Sequence, residues 1–397
     1  MTSLAQEEAQ ENHSRRPAAP TTAPIAAPKD VPIEDDRYSR QILFRGIGAE
    51  GQSRLARSRV AIVGCGATGS ALAALLARAG VGTLRIIDRD YVEPSNLQRQ
   101  SLFDEQDASD SLPKAIAAAR KIAAFNSQIV VEPKVDDVIP ANINALLEGT
   151  EIILDGTDNF ETRYLINDFA VKNSLPWIYS AAVGSYAATM NVLPGETACL
   201  ACIFPDSPRG IVDTCETSGI LNSAVNLVAS IAATETLKLL VGDKTGATNG
   251  TDRTEETKAP HPPTHLPSTL RRTLLSFDLW TNEHAEITAA KPRPGCRACG
   301  ERDFIHLAGE GRPHITLCGR NSVQIHAVQT QERQRPIDFT EMDRRLQPHG
   351  TVRHNDFVLK FWRDPYEITL FPDGRAIIKG TTDTAVARSL YARYVGS

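Results

Sequence analysis

The stretch Val60-Ala61-Ile62-Val63-Gly64-Cys65-Gly66-Ala67-Thr68-Gly69 decides the fold. Its four apolar residues read as a buried strand, and the alanine-rich run Ser70 to Ala79 that follows the glycines reads as a helix. Strand, glycine turn and helix together make a nucleotide-binding βαβ unit. The glycines let the backbone turn sharply and approach a phosphate. The helix N-terminus then offers unpaired N–H groups and a partial positive charge to the anion. A second strand, Thr83-Leu84-Arg85-Ile86-Ile87, is closed by Asp88, where an acid accepts hydrogen bonds from ribose hydroxyls.

Outward from this unit, short Val/Ile/Leu runs alternate with helical patterns from Arg37 to about Gly242. Strands are expected near 60–64, 83–88, 129–132, 151–155 and 176–180, and helices near 70–79, 113–124, 141–148 and 160–173. The fold class this predicts is α/β, a Rossmann-like, mostly parallel sheet with helices on both faces. Gly219 to Leu240 reads as one long helix, apolar nearly all round and therefore buried. Strands near 273–278 and 285–289 resume the sheet.

Residues 1–36, rich in Ala, Pro, Glu and Thr, carry too few large apolar groups to fold and are expected to form a disordered tail. The main domain then spans 37–300, with a flexible Thr/Pro/Gly/Lys-rich insertion at about 243–270. Residues 303–397 are expected to form a small α+β domain: a helix near 338–346, a strand pair joined through Pro372-Asp373-Gly374 and a terminal helix near 383–394.

The 397 residues carry a net charge of −5 with Lys and Arg scattered, which argues against general nucleic-acid binding. No apolar run of membrane-spanning length is read, so no membrane partner is expected. Seven cysteines, four of them in two CxxC pairs, suit a reducing compartment, and the expected location is the cytoplasm.

A glycine turn serves many dinucleotide enzymes, but its neighbours point to ATP. An intact triphosphate carries more negative charge than a pyrophosphate and calls for extra side-chain cations. Arg99 and Lys114 could supply them, while Asn96 and Gln98, in Ser95-Asn96-Leu97-Gln98-Arg99-Gln100, are suited to hydrogen-bonding phosphate oxygens. Asp158, in Asp155-Gly156-Thr157-Asp158-Asn159, falls at the C-terminal edge of a parallel strand and is suited to Mg²⁺. Each residue alone also fits a plain role: Arg99 or Lys114 as an exposed cation at a helix end, Asp158 as a helix N-cap. Their joint order favours the ATP reading.

Cys199-Leu200-Ala201-Cys202 and Cys296-Arg297-Ala298-Cys299 are two knuckles that complete a closed tetrahedral Cys₄ zinc site. The competing reading is a redox pair or unrelated buried thiols. Such a zinc site ties the segment after the insertion to the core. Cys65 is expected to pack against the sheet. Cys215, in a polar loop before the long helix, is either a thiol activated by the helix N-terminus or an inert loop residue. Cys318 reads as a buried thiol at a strand end or a persulfide acceptor.

Arg37-Tyr38-Ser39-Arg40-Gln41-Ile42, the Gly64 turn, Asp88, Ser95 to Gln100, Pro113-Lys114 and Thr157-Asp158-Asn159 together resemble the MoeB/ThiF family. These are adenylyltransferases of ubiquitin-like sulfur carriers, related to ubiquitin-activating enzymes. The resemblance covers about residues 37–300. It implies nucleotide contacts from Gly64, Gly66, Ala67, Gly69 and Asp88, and from Ser95 to Arg99, Lys114, Asp158 and Asn159. Asn96, Arg99 and Lys114 would lie at the phosphates and Asp158 at the metal. Arg40 would reach the ATP of a second subunit, making the active form a homodimer. Cys215 would match a family cysteine linked covalently to the carrier.

The implied reaction is adenylation of the C-terminal glycine carboxylate of a carrier ending in Gly-Gly, for molybdopterin or thiamine-type sulfur transfer, with a donor such as a cysteine desulfurase upstream. The last 95 or so residues lack the cysteine loop of a rhodanese, so no sulfurtransferase activity is expected. Competing readings are a tRNA-modifying dehydratase of the same superfamily, an NAD-dependent oxidoreductase and a non-catalytic binding partner.

Overall fold

The computed structural model describes residues 36–205, 217–242, 267–309, 317–318, 322–325 and 337–396. Residues 1–35 of the expected tail, Cys215 and most of the expected insertion lie outside these. Of Cys318 only the backbone is described, in a short strand.

Strands β1 (Arg59–Val63), β2 (Thr83–Ile87), β3 (Val130–Lys134), β4 (Ile152–Asp155), β5 (Trp177–Val183), β6 (Tyr186–Val192), β7 (Thr273–Asp278) and β8 (Glu283–Thr288) form one sheet in the order β3-β2-β1-β4-β5-β6-β7-β8. β3 through β5 run parallel, and β6 to β8 add antiparallel. Pro133 is tolerated because β3 is the edge strand. The order reverses at β1, whose neighbours are β2 and β4. In open α/β sheets that reversal opens a crevice beyond the strands' carboxyl ends, where ligands bind.

The helices are α1 (Ser39–Leu43), α2 (Gly48–Arg57), α3 (Ala67–Ala79), α4 (Glu105–Ser109), α5 (Lys114–Phe125), α6 (Ile143–Leu147), α7 (Phe160–Lys172), α8 (Leu200–Ile203) and α9 (Asn222–Val241). Two apolar cores cover the two sheet faces: Ile62, Leu72, Leu84 and Ala229 lie in one, Ile153, Ile166, Trp177 and Met190 in the other.

α9 begins at Asn222, three residues later than the expected Gly219, because Gly219 takes a left-handed φ of +71°. Its carbonyl accepts Gly184 N, stitching it to the β5–β6 hairpin. At 20 residues and a mean hydropathy of 1.5, α9 is long and apolar enough to cross a bilayer, which corrects the reading that no such run exists. It packs in the fold instead: Ala224, Val228, Ala232 and Leu239 are buried, and Ser223, Asn226, Ser230 and Thr234 form its exposed stripe.

The second sheet comprises β9 (Leu317–Cys318), β10 (Ser322–Ile325), β11 (Thr351–His354), β12 (Leu359–Arg363), β13 (Tyr366–Leu370) and β14 (Ala376–Lys379), in the antiparallel order β11-β12-β13-β14-β10-β9. α10 (Phe339–Leu346) and α11 (Thr384–Tyr394) accompany it. The expected strand pair through Pro372-Asp373-Gly374 is β13–β14, but it is part of six strands. Alternation splits β14 between two environments. Ile378 joins the core with Phe361, Ile368 and Tyr391, whereas Ile377 packs with Val358, Phe371 and Tyr91 of the first sheet's side.

Candidate functional site

The crevice at β1 and β4 is built on three glycines that touch. Gly64 has φ +86°, and a Cβ there would stand 2.7 Å from the Gly156 carbonyl carbon. A Cβ on Gly69 would lie 1.8 Å from Gly64 O, and one on Gly156 would lie 2.3 Å from the same oxygen. No side chain fits between turn, helix and β4 loop, so the backbone approaches closely. Gly66 is different: its missing Cβ faces space, the nearest atoms being Gly156 O at 3.9 Å and Gln100 Nε2 at 4.0 Å. Gly66 caps α3 with no side-chain hydrogen bond, leaving the first N–H groups at Ala67 to Gly69 available to an anion. Cys65 is fully buried in the core, as expected, and burial pushes its thiol up.

Asp88 ties this turn to β2. Its Oδ2 accepts Cys65 N at 2.5 Å and its Oδ1 accepts Asp90 N at 2.7 Å. Each oxygen keeps a second lone-pair direction for a ligand hydroxyl. Burial raises the carboxyl above the ordinary carboxylate range, with the Lys114 charge opposing that rise. Lys114 opens α5 and is buried; its Nζ donates to Asp90 Oδ2 at 3.2 Å and its N–H to Asp90 O at 2.8 Å. Asp90, unremarked in the sequence, holds this cation beside Asp88.

The stretch Ser95 to Gln100 begins in a short 3-10 turn, Pro94–Asn96, closed reciprocally on Glu93: Asn96 Oδ1 accepts Glu93 N at 3.1 Å and the Glu93 carbonyl accepts Asn96 N at 2.9 Å. Asn96 Nδ2 and Gln100 Oε1 are buried without a protein partner, an arrangement that fits a polar ligand. Gln100, at the end of the Ser95–Gln100 stretch, has its Nε2 4.0 Å from where a Cβ on Gly66 would stand. Arg99 is half-buried, with Nη1 on Ser95 O at 2.8 Å; Leu97 is half-buried, and Ser95 and Gln98 are exposed.

Beyond β4, Asp155 and Arg163 form a buried pair at 2.9 Å, and Arg163 also donates to Thr157 O and Ser180 O. This knot fixes the loop bearing Asp158, and no spacing pattern in the sequence announces it. Asn159 caps α7, its Oδ1 accepting Thr162 N at 2.8 Å. Asp158 is therefore not the cap. It is exposed at the crevice edge. Arg40 is not brought to this cluster: its neighbour Gln41 bonds Ala79 O at the end of α3 remote from the glycine turn, about 20 Å along a helix of that length.

The four cysteines converge, with all sulfurs within 4.8 Å of one another. Cys199 and Cys296 lie 3.6 Å apart, Cys202 and Cys299 3.3 Å, and Cys199 and Cys202 3.8 Å. Zn–S bonds of about 2.3 Å set tetrahedral edges of about 3.8 Å, so the spacing and the all-thiol donor set fit zinc. Arg293 N donates to Cys202 Sγ at 3.2 Å. α8 carries the first knuckle against the sheet, and the turn at 295–300 brings the second to it.

Fold and site together define a nucleotide-binding α/β enzyme with a thiol-clamped sheet extension. The chain belongs to the ThiF family, whose model matches residues 38–298. It is 42% identical to the sulfur carrier protein ThiS adenylyltransferase of Bacillus subtilis, over 91% of this chain and 99% of that protein. It is 30% identical to the pig (Sus scrofa) adenylyltransferase and sulfurtransferase MOCS3, over 86% of this chain and 69% of that protein. The fold matches a crystal structure of Escherichia coli MccB with ATP at a TM-score of 0.53, with 22% identity, covering 67% of this chain and 75% of that one.

Proposed function

We propose that this protein is an ATP-dependent adenylyltransferase that activates the C-terminal glycine of a ubiquitin-like sulfur carrier. Family membership supports ATP as substrate and the carrier as partner. The observation that carries the reading is the match to a ThiS adenylyltransferase over 91% of this chain and 99% of that protein. It favours a ThiS-type carrier and thiamine-type sulfur delivery over a molybdopterin-type carrier.

In this reading the carrier's terminal carboxylate, ionised near neutral pH, attacks the α-phosphorus of ATP. An O–P bond forms, the bond to the β-phosphate oxygen breaks, and pyrophosphate leaves with its electron pair; no protein nucleophile is needed. The protein's work is positioning and charge. Asp88 takes the ribose. The backbone from Gly64 to Gly69, including Ala67, takes phosphate, with Asn96, Gln98, Arg99 and Lys114 around it and Ser95 and Leu97 shaping the turn. Asp158, next to the capping Asn159, holds Mg²⁺, which when bound neutralises phosphate charge.

Cys199, Cys202, Cys296 and Cys299 hold structural zinc. The active form is a homodimer in which Arg40 completes the partner's site; its place at the far end of α3, beside the exposed Leu43 and Phe44, supports an action in trans. The Cys215 thiolate attacks the acyl carbon of the carrier adenylate, forming a thioester as the acyl–phosphate bond breaks and AMP leaves with its electron pair; a cysteine desulfurase supplies sulfur, and the enzyme works in the cytoplasm.

The test is carrier-dependent exchange of labelled pyrophosphate into ATP, offering ThiS-type and molybdopterin-type carriers separately. Exchange with the ThiS-type carrier that vanishes on deletion of its last glycine is expected. No exchange with either carrier, from folded protein that binds ATP, refutes the reading.

A further inference from the structure

The segment Asp88 to Asn96 lines the nucleotide crevice on one side and is covered by the second sheet on the other. The covering face follows from strand alternation and register. Lys360, Glu367, Ile377 and Lys379 lie on the sheet face opposite the Phe361, Ile368 and Ile378 core, and Glu367 pairs across strands with Lys379. Tyr91 enters this face, packed in a buried cluster with Val358, Phe371 and Ile377. Lys360 Nζ sits 3.9 Å from its ring centroid.

Polar contacts continue the junction. Lys379 Nζ donates to Glu93 Oε1 at 2.6 Å, and the Tyr91 hydroxyl donates to the same oxygen at 3.2 Å. Arg375 Nη2 reaches Arg89 O at 3.4 Å, and Asn355 Nδ2 donates to Asp110 O at 2.7 Å. Lys379 is in turn 3.7 Å from Glu367, so the ammonium is held between a carboxylate of the second sheet and one of the segment that follows β2.

Glu93 joins the two sides: its carboxylate is held by Lys379 and Tyr91, while its backbone is tied to Asn96 in both directions, its N–H donating to Asn96 Oδ1 at 3.1 Å and its carbonyl accepting Asn96 N at 2.9 Å. We infer that the second sheet is a positioning module for the nucleotide site, with Lys379 acting through Glu93 to orient Asn96, and Tyr91 anchoring the segment that carries Asp88 and Asp90. Lys379 and Tyr91 are positioning residues that need not touch ATP. A hydrogen-bonded chain of this kind couples its members, and removing one loosens the next. The inference rests on the crevice being the ATP site and assigns the second sheet a role in it.

The experiment compares full-length wild type, Lys379→Met and Lys379→Arg by calorimetric titration with ATP alone, and by pyrophosphate exchange at varied ATP and carrier. Lys379→Met is expected to bind ATP about tenfold more weakly, with KM for ATP raised and KM for carrier unchanged; Lys379→Arg restores both. Adding Glu93→Gln to Lys379→Met should cost nothing more, since both break one link. Arg388→Ala, exposed on α11, should match wild type.

Equal ATP affinity in wild type and Lys379→Met, or fully additive losses with Glu93→Gln, overturns the inference. Should Lys379→Met fail to fold, Tyr91→Phe carries the same test: weaker ATP binding supports the link, unchanged binding removes it. A wild type that binds ATP but exchanges with no carrier sinks the carrier reading alone and leaves this titration decisive.

Discussion

Arg163 Nε donates to Asp155 Oδ2 across 2.9 Å in a pair of which Asp155 is wholly buried, and the same guanidinium holds the carbonyls of Thr157 and Ser180. One loop thus carries a buried, paired acid, Asp155, and an exposed acid, Asp158. Asp155→Ala strands a buried arginine and is expected to cost about 3–5 kcal/mol. Asp158→Ala removes an exposed carboxylate and is expected to shift stability by under about 0.5 kcal/mol while abolishing most exchange activity. Denaturant unfolding beside pyrophosphate exchange separates the two; equal stability losses would contradict the division.

The glycine contacts make a steric prediction. Gly69→Ala drives a methyl group into Gly64 O, backbone against backbone, where no rotamer change relieves it. A loss of about 1–3 kcal/mol together with loss of ATP binding is expected. Gly66→Ala places its methyl where the nearest atom is 3.9 Å away, so the apo fold should tolerate it while ATP binding weakens. Thermal melts with and without ATP read both; an unaffected Gly69→Ala protein would show the close approach to be wrong.

Arg40 and Asp158 belong to different subunits' contributions if Arg40 acts in trans. Arg40→Ala and Asp158→Ala homodimers should each be nearly inactive. Mixed after dissociation and reassociation, they should recover about a quarter of wild-type exchange, since half of the dimers are mixed and each has one intact site. No recovery from a proven mixture would place both residues in one subunit's site.

Zinc removal offers a direct readout. Purified protein should contain one zinc per chain, and a strong chelator or Cys299→Ser should lower Tm and loosen the segment from β7 onward, leaving the secondary structure of β1 to β4 in place. Elemental analysis comes first. A metal-free protein with an unchanged melt would remove zinc from the account.

Burial pushes the Asp168 carboxyl up to about 6, although its Oδ2 accepts His306 N at 3.0 Å. The unfolded chain releases this proton near 3.9, so the folded state holds it longer. The stability contributed is full below about pH 4 and is lost as pH rises through about 6. Asp168→Asn keeps an acceptor for the His306 N–H and cannot ionise, so its stability relative to wild type should rise from pH 4.5 to pH 7. A pH-independent difference between the two in urea titrations would rule out the titration.

Local patterns carried far in this chain. The Val60–Gly69 run specified β1, the turn and α3, because an apolar β-branched strand followed by glycines and alanines has few other solutions. The two CxxC knuckles likewise announced a four-thiol cluster, since each pair is already close through its own short turn. β6 escaped: Tyr186-Ala187-Ala188-Thr189-Met190-Asn191-Val192 has little strand composition and owes its form to pairing with β5 and β7. The six-stranded second sheet was legible only as one hairpin, because the remaining pairings are long-range.

What the sequence determined by itself was therefore the nucleotide-binding unit, the family it resembles and the identities of the acids, amides and cations to be gathered. Tertiary structure alone decided how they are held. The Asp155–Arg163 knot, the Asp90 partner of Lys114 and the Lys379–Glu93–Asn96 chain all join residues with no shared spacing, brought together by strand order and burial. Periodicity reports which side of an element is apolar, whereas partnership between buried polar groups is fixed by the requirement that each find its match once the chain has closed around it.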